Sequence, residues 1–356
     1  MTSKPAQAVQ VSLPLNGGNI PMPADAMGLS QWIGIKCHKM WWFVMQRKQM
    51  YKIHHIPKKK GGVRILHEPM PKMKYAQRML LDRVLDKFPV QPHFGAYTGA
   101  RGVRYTAARH AGHKIVLELD IKDFFGSTTR KYVREFFRAA GWPAQPANLA
   151  ADLLTYPVKK DLSIVPQGAP SSPQLCNLIG HMRFDQKILA AIAAIDPGWV
   201  YTRYSDNIVL SHPEDRPRPE VNDVLNAARS AITSGGYRVH PKKIKIMRSS
   251  HPKKPQRLLG LTINTTPNVP AEDFKRLRAQ VHRACTKGLD QVTGIPKGKH
   301  VASHLKGRLA YYLHINPGSQ KILALKNRLE AAEAKTAGAP VIWTSSPPLP
   351  SAVDSQ

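Results

Sequence analysis

Ile115-Val116-Leu117-Glu118-Leu119-Asp120-Ile121-Lys122-Asp123-Phe124-Phe125 decides the fold. The apolar run Ile115–Leu119 has the length of a buried strand and is cut off by Asp120, so its last step presents a carboxylate. A second carboxylate stands 86 residues later. There Trp199–Tyr204 and Ile208–Ser211 read as the arms of a hairpin around Ser205-Asp206-Asn207. An Asp after a strand is ordinarily a turn or cap residue. Two of them, brought together by a fold, can do more. Phosphoryl transfer uses oxygen ligands that hold two divalent metals about 3.5–4 Å apart, and a strand end and a tight turn can both supply such oxygens.

Working outward, Ser172-Pro173 opens a long helix, with Ser172 as its N-cap and Leu175, Leu178, Ile179, Met182 and Ile188 as its apolar stripe. Upstream, Ile53–Pro57 and Val63–Leu66 flank Lys58-Lys59-Lys60-Gly61-Gly62, a hairpin signal. Lys74–Phe88 carries Ala76, Met79, Leu80, Val84 and Phe88 at helical spacing, and Leu29–Met50 reads as helical and half buried. Downstream of Pro270 the pattern is helical to Lys335. Phe274, Leu277, Val281 and Ala284 form one face there, ringed by Lys275, Arg276, Arg278, Arg283 and Lys287.

Charge narrows the partner. In 356 residues, 53 Lys+Arg oppose 23 Asp+Glu, a net +30 that calls for a polyanion, with nucleic acid the first choice. At 42% hydrophobic the chain can bury a core, which excludes wholesale disorder. No apolar run nears the roughly 18 residues of a membrane span, so no membrane partner is expected. Three widely spaced cysteines, Cys37, Cys176 and Cys285, support neither a disulfide framework nor a zinc cluster and point to a reducing cytoplasm.

Leu117–Phe125, Pro166-Gln167-Gly168-Ala169-Pro170-Ser171-Ser172-Pro173 and Tyr204-Ser205-Asp206-Asn207 resemble, in that order, motifs A, B and C of reverse transcriptases. Pro57–Arg64 resembles their fingers hairpin, Tyr237–Lys243 motif D, and Leu258–Ile263 motif E. Gly307–Tyr312 with Asn316-Pro317 is similar to the thumb of bacterial retron and group II intron enzymes. The resemblance covers about residues 29–335. It implies an α+β right-hand polymerase with a ferredoxin-like antiparallel palm sheet. Its parts would be a flexible arm 1–28, N-terminal helices and fingers 29–114, a palm with inserted fingers elements 115–264, a helical thumb 265–337, and a mobile tail 338–356.

The resemblance implies RNA-directed DNA synthesis. Asp120, Asp206 and Asn207, helped by the Ile121 carbonyl, would bind two Mg2+ ions, or Mn2+ in their place. Lys60 and Arg64 would grip the triphosphate, and Lys243 would protonate the pyrophosphate. Phe125 would exclude a ribose 2′-OH. Gln167 and Gly168 would touch the nascent base pair and template. Lys275, Arg276, Arg278 and Arg283 would hold nucleic acid. The partners would be a structured RNA template and primer, the DNA product and an effector protein, in antiviral defence.

Three departures qualify the match. Motif C of the family ends in two aspartates, and here the second is Asn207. Some negative-strand viral RNA polymerases carry Asp-Asn there. Thr106-Ala107-Ala108-Arg109-His110 stands where retron enzymes carry Asn-Ala-x-x-His, and Leu258-Leu259-Gly260 where they carry Val-Thr-Gly. The alternatives are a catalytically weak or inactive RNA-binding scaffold on the same palm, and an untemplated nucleotidyltransferase.

Overall fold

The computed structural model describes residues 22–58, 61–99, 101–251, 254–296 and 300–337. Most of the expected arm and the expected tail lie outside the described residues, as do Lys59 and Lys60. The chain falls into two compact units, one up to Leu259 with Ile263–Thr266, the other Gly260–Thr262 with the residues from Pro267 on.

In the first unit the helical stretch expected over Leu29–Met50 is two helices, α1 (Ala26–Ile33) and α2 (Cys37–Met45). Gly34 is the reason. At φ 70 it takes the left-handed conformation that ends a helix, and its N–H donates back to the Ser30 carbonyl. Strands β1 (Tyr51–Pro57) and β2 (Val63–Pro69) pair antiparallel from Tyr51↔Pro69 to Pro57↔Val63, a longer hairpin than the sequence suggests. Helix α3 (Pro71–Arg83) starts three residues before the expected Lys74. Pro71 fits its first turn, where a missing N–H costs nothing. A 3-10 turn, Leu85–Lys87, carries the chain on to Phe88, which is buried as its spacing implied. Helix α4 (Val103–His110) follows.

Strand β3 (Ile115–Asp120) is central to the next layer. Ile115, Val116, Leu117 and Leu119 are fully buried, which accounts for an apolar run interrupted only by Glu118 rather than strict alternation. Helices α5 (Phe124–Ser127), α6 (Arg130–Ala139) and α7 (Ala144–Leu153) and the hairpin β4 (Tyr156–Lys159)–β5 (Leu162–Ile164) are inserted after it. Helix α8 (Ser172–Gly180) then runs through a π-helical turn, His181–Asp185, into α9 (Gln186–Ile195). Ser172 is not the cap. Ser171 takes that position, and the Ser172 hydroxyl donates 2.7 Å to the Pro166 carbonyl, tying the preceding loop to the helix.

Strands β6 (Val200–Tyr204) and β7 (Asn207–His212), helix α10 (Arg218–Ser234) and strand β8 (Lys245–Arg248) complete the layer. The sheet order is β6-β7-β3-β8, every neighbour antiparallel. Helices enter between its first and second and between its third and fourth strands in chain order. That is the ferredoxin-like arrangement the sequence implied.

His110, at the end of α4, ties that helix to the sheet. Its Nδ1 lies 2.5 Å from the Ser211 hydroxyl and its Nε2 2.7 Å from that of Thr202. Burial pushes its pKa from the ordinary 6.5 down to about 3, and burial likewise takes His181 to about 4. Both folded values lie below the unfolded one. The stability they contribute is complete above about pH 6.5 and drains away as pH falls toward 4. Thermal melts between pH 8 and 4 should therefore show a midpoint that drops below pH 6.5. His110→Gln should melt lower at pH 8 and show a flatter acid limb; an identical limb would detach His110 from the effect.

Strand β9 (Arg257–Leu258) lies in the first unit and strand β10 (Leu261–Thr262) in the second; Leu259 and Gly260 between them are left-handed at φ 50 and 84. Helices α11 (Ala271–Lys287), α12 (Val301–Ile315) and α13 (Gln320–Ala337) pack on one another. Leu277, Val281, Ala284, Leu305, Leu309, Ile322, Leu325 and Leu329 are buried. Phe274, expected on that face, is only half buried. Arg308 links α12 to α11 through Gln280 at 2.9 Å. Among the described residues no helix is long and apolar enough to cross a membrane.

Candidate active site

The two carboxylates found in the sequence meet at one end of the four-stranded sheet. Asp120 closes β3 in register with Asn207, the first residue of β7. The Ile121 N–H donates 2.8 Å to the Asp206 carbonyl, so the backbones of both acids are one hydrogen bond apart. Asp206 sits in a two-residue turn whose other member, Ser205, is left-handed at φ 60. Burial first, and the neighbouring Asp120 second, push the Asp206 carboxyl above its ordinary range. Two partly buried acids facing one another resist joint ionisation unless a cation is near.

Lys243 supplies one such cation, its Nζ 2.7 Å from Asp120 Oδ2. It stands on a 3-10 turn, Pro241–Lys243, that interrupts the edge segment beside β3. Before that turn the Lys122 N–H donates to the Arg238 carbonyl and the His240 N–H to the Asp120 carbonyl. After it, β8 resumes pairing with β3. Lys243 is thus an ion-pair partner of Asp120 here. Lys245, two residues on, pairs with Glu118 at 2.6 Å.

The β1–β2 hairpin contributes to the same field. Arg64, exposed on β2, acts on the Asp206 carboxyl as a positive charge that lowers its pKa. The Gln167–Gly168 loop docks three residues further along that strand, where the His67 N–H donates 2.8 Å to the Gln167 carbonyl. Gly168 has φ 121, and a Cβ there would lie 3.1 Å from the His67 carbonyl oxygen. Only glycine accommodates both the angle and the approach. Phe124 is buried and Phe125 half buried in the single turn of α5. Lys60 lies outside the described residues. Lys275, Arg276, Arg278 and Arg283 are all exposed on α11 in the second unit. Arg283 bonds the Thr293 hydroxyl at 2.6 Å, and Arg276 stands 3.9 Å from Asp273.

Below the turn lies a charged network that sequence reasoning missed. Arg203, fully buried, donates from Nε and Nη2 to the Asp185 carboxylate, from Nη1 to Asn177 Oδ1, and at 3.2 Å to the Ser205 carbonyl. Asp185 also accepts from Tyr201 at 2.5 Å and lies 3.1 Å from His93 Nε2. Tyr97, left-handed at φ 61, donates its hydroxyl to Ser205 Oγ at 3.1 Å. The signal in the sequence was faint: an Arg in a strand ordinarily reads as a solvated residue.

Two sets of groups could be weighed as metal ligands. His93, His181 and Asp185 have ligand atoms within 4.8 Å of one another. The Asp185 carboxylate is already satisfied there by Arg203, Tyr201 and His93, so the guanidinium is its counter-ion and the trio is a brace. Asp120, Asp206 and Asn207 offer oxygen atoms only, at a place where paired carboxylates want positive charge. That donor chemistry fits a hard divalent cation.

Residues 56–263, which include both carboxylates, the Gln167–Gly168 loop and Lys243, match the family described as reverse transcriptase (RNA-dependent DNA polymerase). The Retron Mx65 reverse transcriptase of Myxococcus xanthus is 33% identical over 320 residues, covering 86% of this chain and 70% of that protein. The Retron Mx162 reverse transcriptase of the same organism is 29% identical over 322 residues, with 80% and 65% covered. The Retron Ec86 reverse transcriptase of Escherichia coli is 27% identical over 290 residues, with 80% and 83% covered. The chain thus spans somewhat under two thirds of the length of Mx162 and somewhat over two thirds of Mx65.

Proposed function

The chain belongs to the reverse transcriptase (RNA-dependent DNA polymerase) family, in its retron branch, and on that premise we propose that it copies a structured RNA into DNA at the site where β3 meets the β6–β7 turn. The family works with divalent metal ions. Asp120, Asp206, Asn207 and the Ile121 carbonyl would hold two of them, Mg2+ or in its place Mn2+, which supply Lewis acidity for attack of the primer hydroxyl and departure of pyrophosphate. The observation that carries this reading is the convergence of Asp120 and Asp206 in the field of Arg64 and Lys243.

The protein's own groups do the rest by position and charge. Arg64 offers a planar fork of donors to triphosphate oxygens, and Lys60 would share that role. Lys243 holds a proton against Asp120 and gives it to the pyrophosphate when that carboxylate is otherwise engaged. Gln167 and Gly168 present backbone to the new base pair. The exposed α11 cations Lys275, Arg276, Arg278 and Arg283 hold nucleic acid. In the cell we place the protein in the cytoplasm, in antiphage defence, with an RNA that supplies template and primer and with an effector protein.

The test is primer extension on an RNA template with deoxy- or ribonucleotides. Wild type should extend with deoxynucleotides and only when template is present; extension without template would favour the untemplated transferase. Phe125→Ala should raise ribonucleotide use relative to deoxynucleotide by about tenfold to two-hundredfold, the range that one pocket-filling group commands. Equal loss with both sugars would make Phe125 a packing residue.

Asn207 favours one competing reading, that of an inert scaffold, because it withholds a charge where the family has a carboxylate. Asn207→Asp adds that charge and should lower the half-saturating metal concentration by about tenfold, near 1.4 kcal/mol, with activity retained. A wild type silent in both Mg2+ and Mn2+ and revived by Asn207→Asp would establish the scaffold instead.

A further inference from the structure

A second concentration of charge shares no residue with the carboxylate site. Arg47, Arg130, Lys131, Arg134 and Lys160 line one recess of about 630 Å³ together with Asp152 and Asp161. The five cations come from three places in the fold: the turn just after α2, the outer face of α6, and the turn between β4 and β5. Asp152 fixes two of them. Arg130 meets its carboxylate with Nε and Nη2, at 2.8 and 2.6 Å, while Arg47 Nη1 donates to the same Oδ1 that Arg130 Nε uses. One acid between two guanidiniums leaves the pair net positive and holds both planes in place.

The cations of α6 are placed against local preference. Arg130, Lys131 and Arg134 share the exposed face of α6, opposite the buried Val133, Phe136 and Phe137. Arg130 and Lys131 occupy the first turn, where the helix dipole disfavours positive charge, and no acidic residue is present there. Arg130 and Arg134 stand at i and i+4, a like-charge pair that weakens a helix. Lys160 adds a further cation from the hairpin turn. Asp152 offsets Arg130, and Glu135 stands 3.9 Å from Lys131. Sequences break such rules where a site requires it, and an anion in the recess would relieve what repulsion is left, at Arg134 and Lys160 above all.

We propose that this recess is a second RNA-binding site, which holds phosphates of the structured RNA at a point apart from the copied strand. It rests on the RNA-copying reading and adds to it an anchor for RNA that is not being copied. The ligand chemistry is two or more adjacent phosphodiesters spaced to meet the Arg47–Arg130 pair and the Arg134–Lys160 edge. Guanidinium forks suit such oxygens, and the concave shape suits a backbone bend more than a flat protein surface.

The experiment compares wild type with Arg134→Glu/Lys160→Glu. Both positions are exposed, so the fold should persist, and a thermal melt checks that. The probe is an RNA hairpin of arbitrary sequence with about 20 base pairs, long enough to reach beyond one groove. Its affinity is measured from 0.05 to 0.3 M salt. The double variant should bind the hairpin about tenfold more weakly at 0.1 M salt, with a log–log slope shallower by roughly 1.4 to 1.8. Extension of a short primer on a saturating RNA template should keep its wild-type rate. Unchanged hairpin affinity and slope would overturn the proposal, and so would an extension rate that falls in step with affinity, since the recess would then belong to the copying path. A wild type that binds hairpin with the expected slope yet extends no primer would sink the polymerase reading alone.

Discussion

Asp120→Ala and Asp206→Ala should each lower DNA synthesis by about a thousandfold or more, since several kcal/mol of charge stabilisation would go at one factor of ten per 1.36 kcal/mol. RNA binding should persist, because neither acid contributes positive charge. A purely structural role for these residues predicts the opposite stability change from a ligand role. Burial and Asp120 hold the Asp206 carboxyl above its ordinary pKa. The fold therefore prefers that group protonated: the stability tied to it is present below the unfolded pKa and is lost as pH rises through the folded one. At neutral pH with chelator, Asp206→Asn should melt higher than wild type. Adding Mg2+ should raise the wild-type midpoint through binding to the folded state alone, and leave that of the variant where it was. A variant that melts lower in chelator, or that still extends primer at near the wild-type rate, would show that the acids serve the fold and not the reaction.

That site was legible because its parts are local. A run of four apolar residues with Glu118 among them, stopped by Asp120, and two largely apolar arms around Ser205-Asp206-Asn207, declare a strand end and a turn without any tertiary knowledge. Gly61-Gly62 marked the hairpin for the same reason, and both residues are left-handed. What stayed hidden depends on distance along the chain. Lys243 and Asp120 are 123 residues apart, and nothing in Pro241-Lys242-Lys243 says which lysine turns inward. Nothing local to Gly34 marks it as left-handed, and that angle splits the helical stretch over Leu29–Met50 in two. The π-turn at His181–Asp185 keeps an ordinary helical pattern of apolar residues, so its effect on Asp185 cannot be read from spacing. The recess lined by Arg47, Arg130 and Lys160 joins residues that sequence analysis would assign to three unrelated solvated faces.

Arg203→Met should be among the most destabilising single changes in the molecule. Burial pushes the Asp185 carboxyl up, but Arg203 and His93 together bring it well below its ordinary value, so it is ionised with the guanidinium as counter-ion. Both side chains are fully buried. Removing one partner strands a buried charge, at a cost of about 3–5 kcal/mol, a large part of the 5–15 kcal/mol by which domains are typically stable. Denaturant melts would show it. Arg203→Met/Asp185→Asn removes both charges while leaving an oxygen for Tyr201 and His93, and should recover most of that loss, since the two sites are directly coupled. Activity should not recover with it. Arg203 Nη1 also donates to the Ser205 carbonyl, and Ser205 is a left-handed residue next to Asp206. Without that bond the turn loses the brace that aims its carboxylate, and misplacement by about 1 Å is enough to cost a hundredfold. The double variant should therefore fold, bind RNA, and extend primer roughly a hundredfold more slowly at saturating nucleotide. A double variant as fast as wild type would reduce Arg203 to a packing residue of the core.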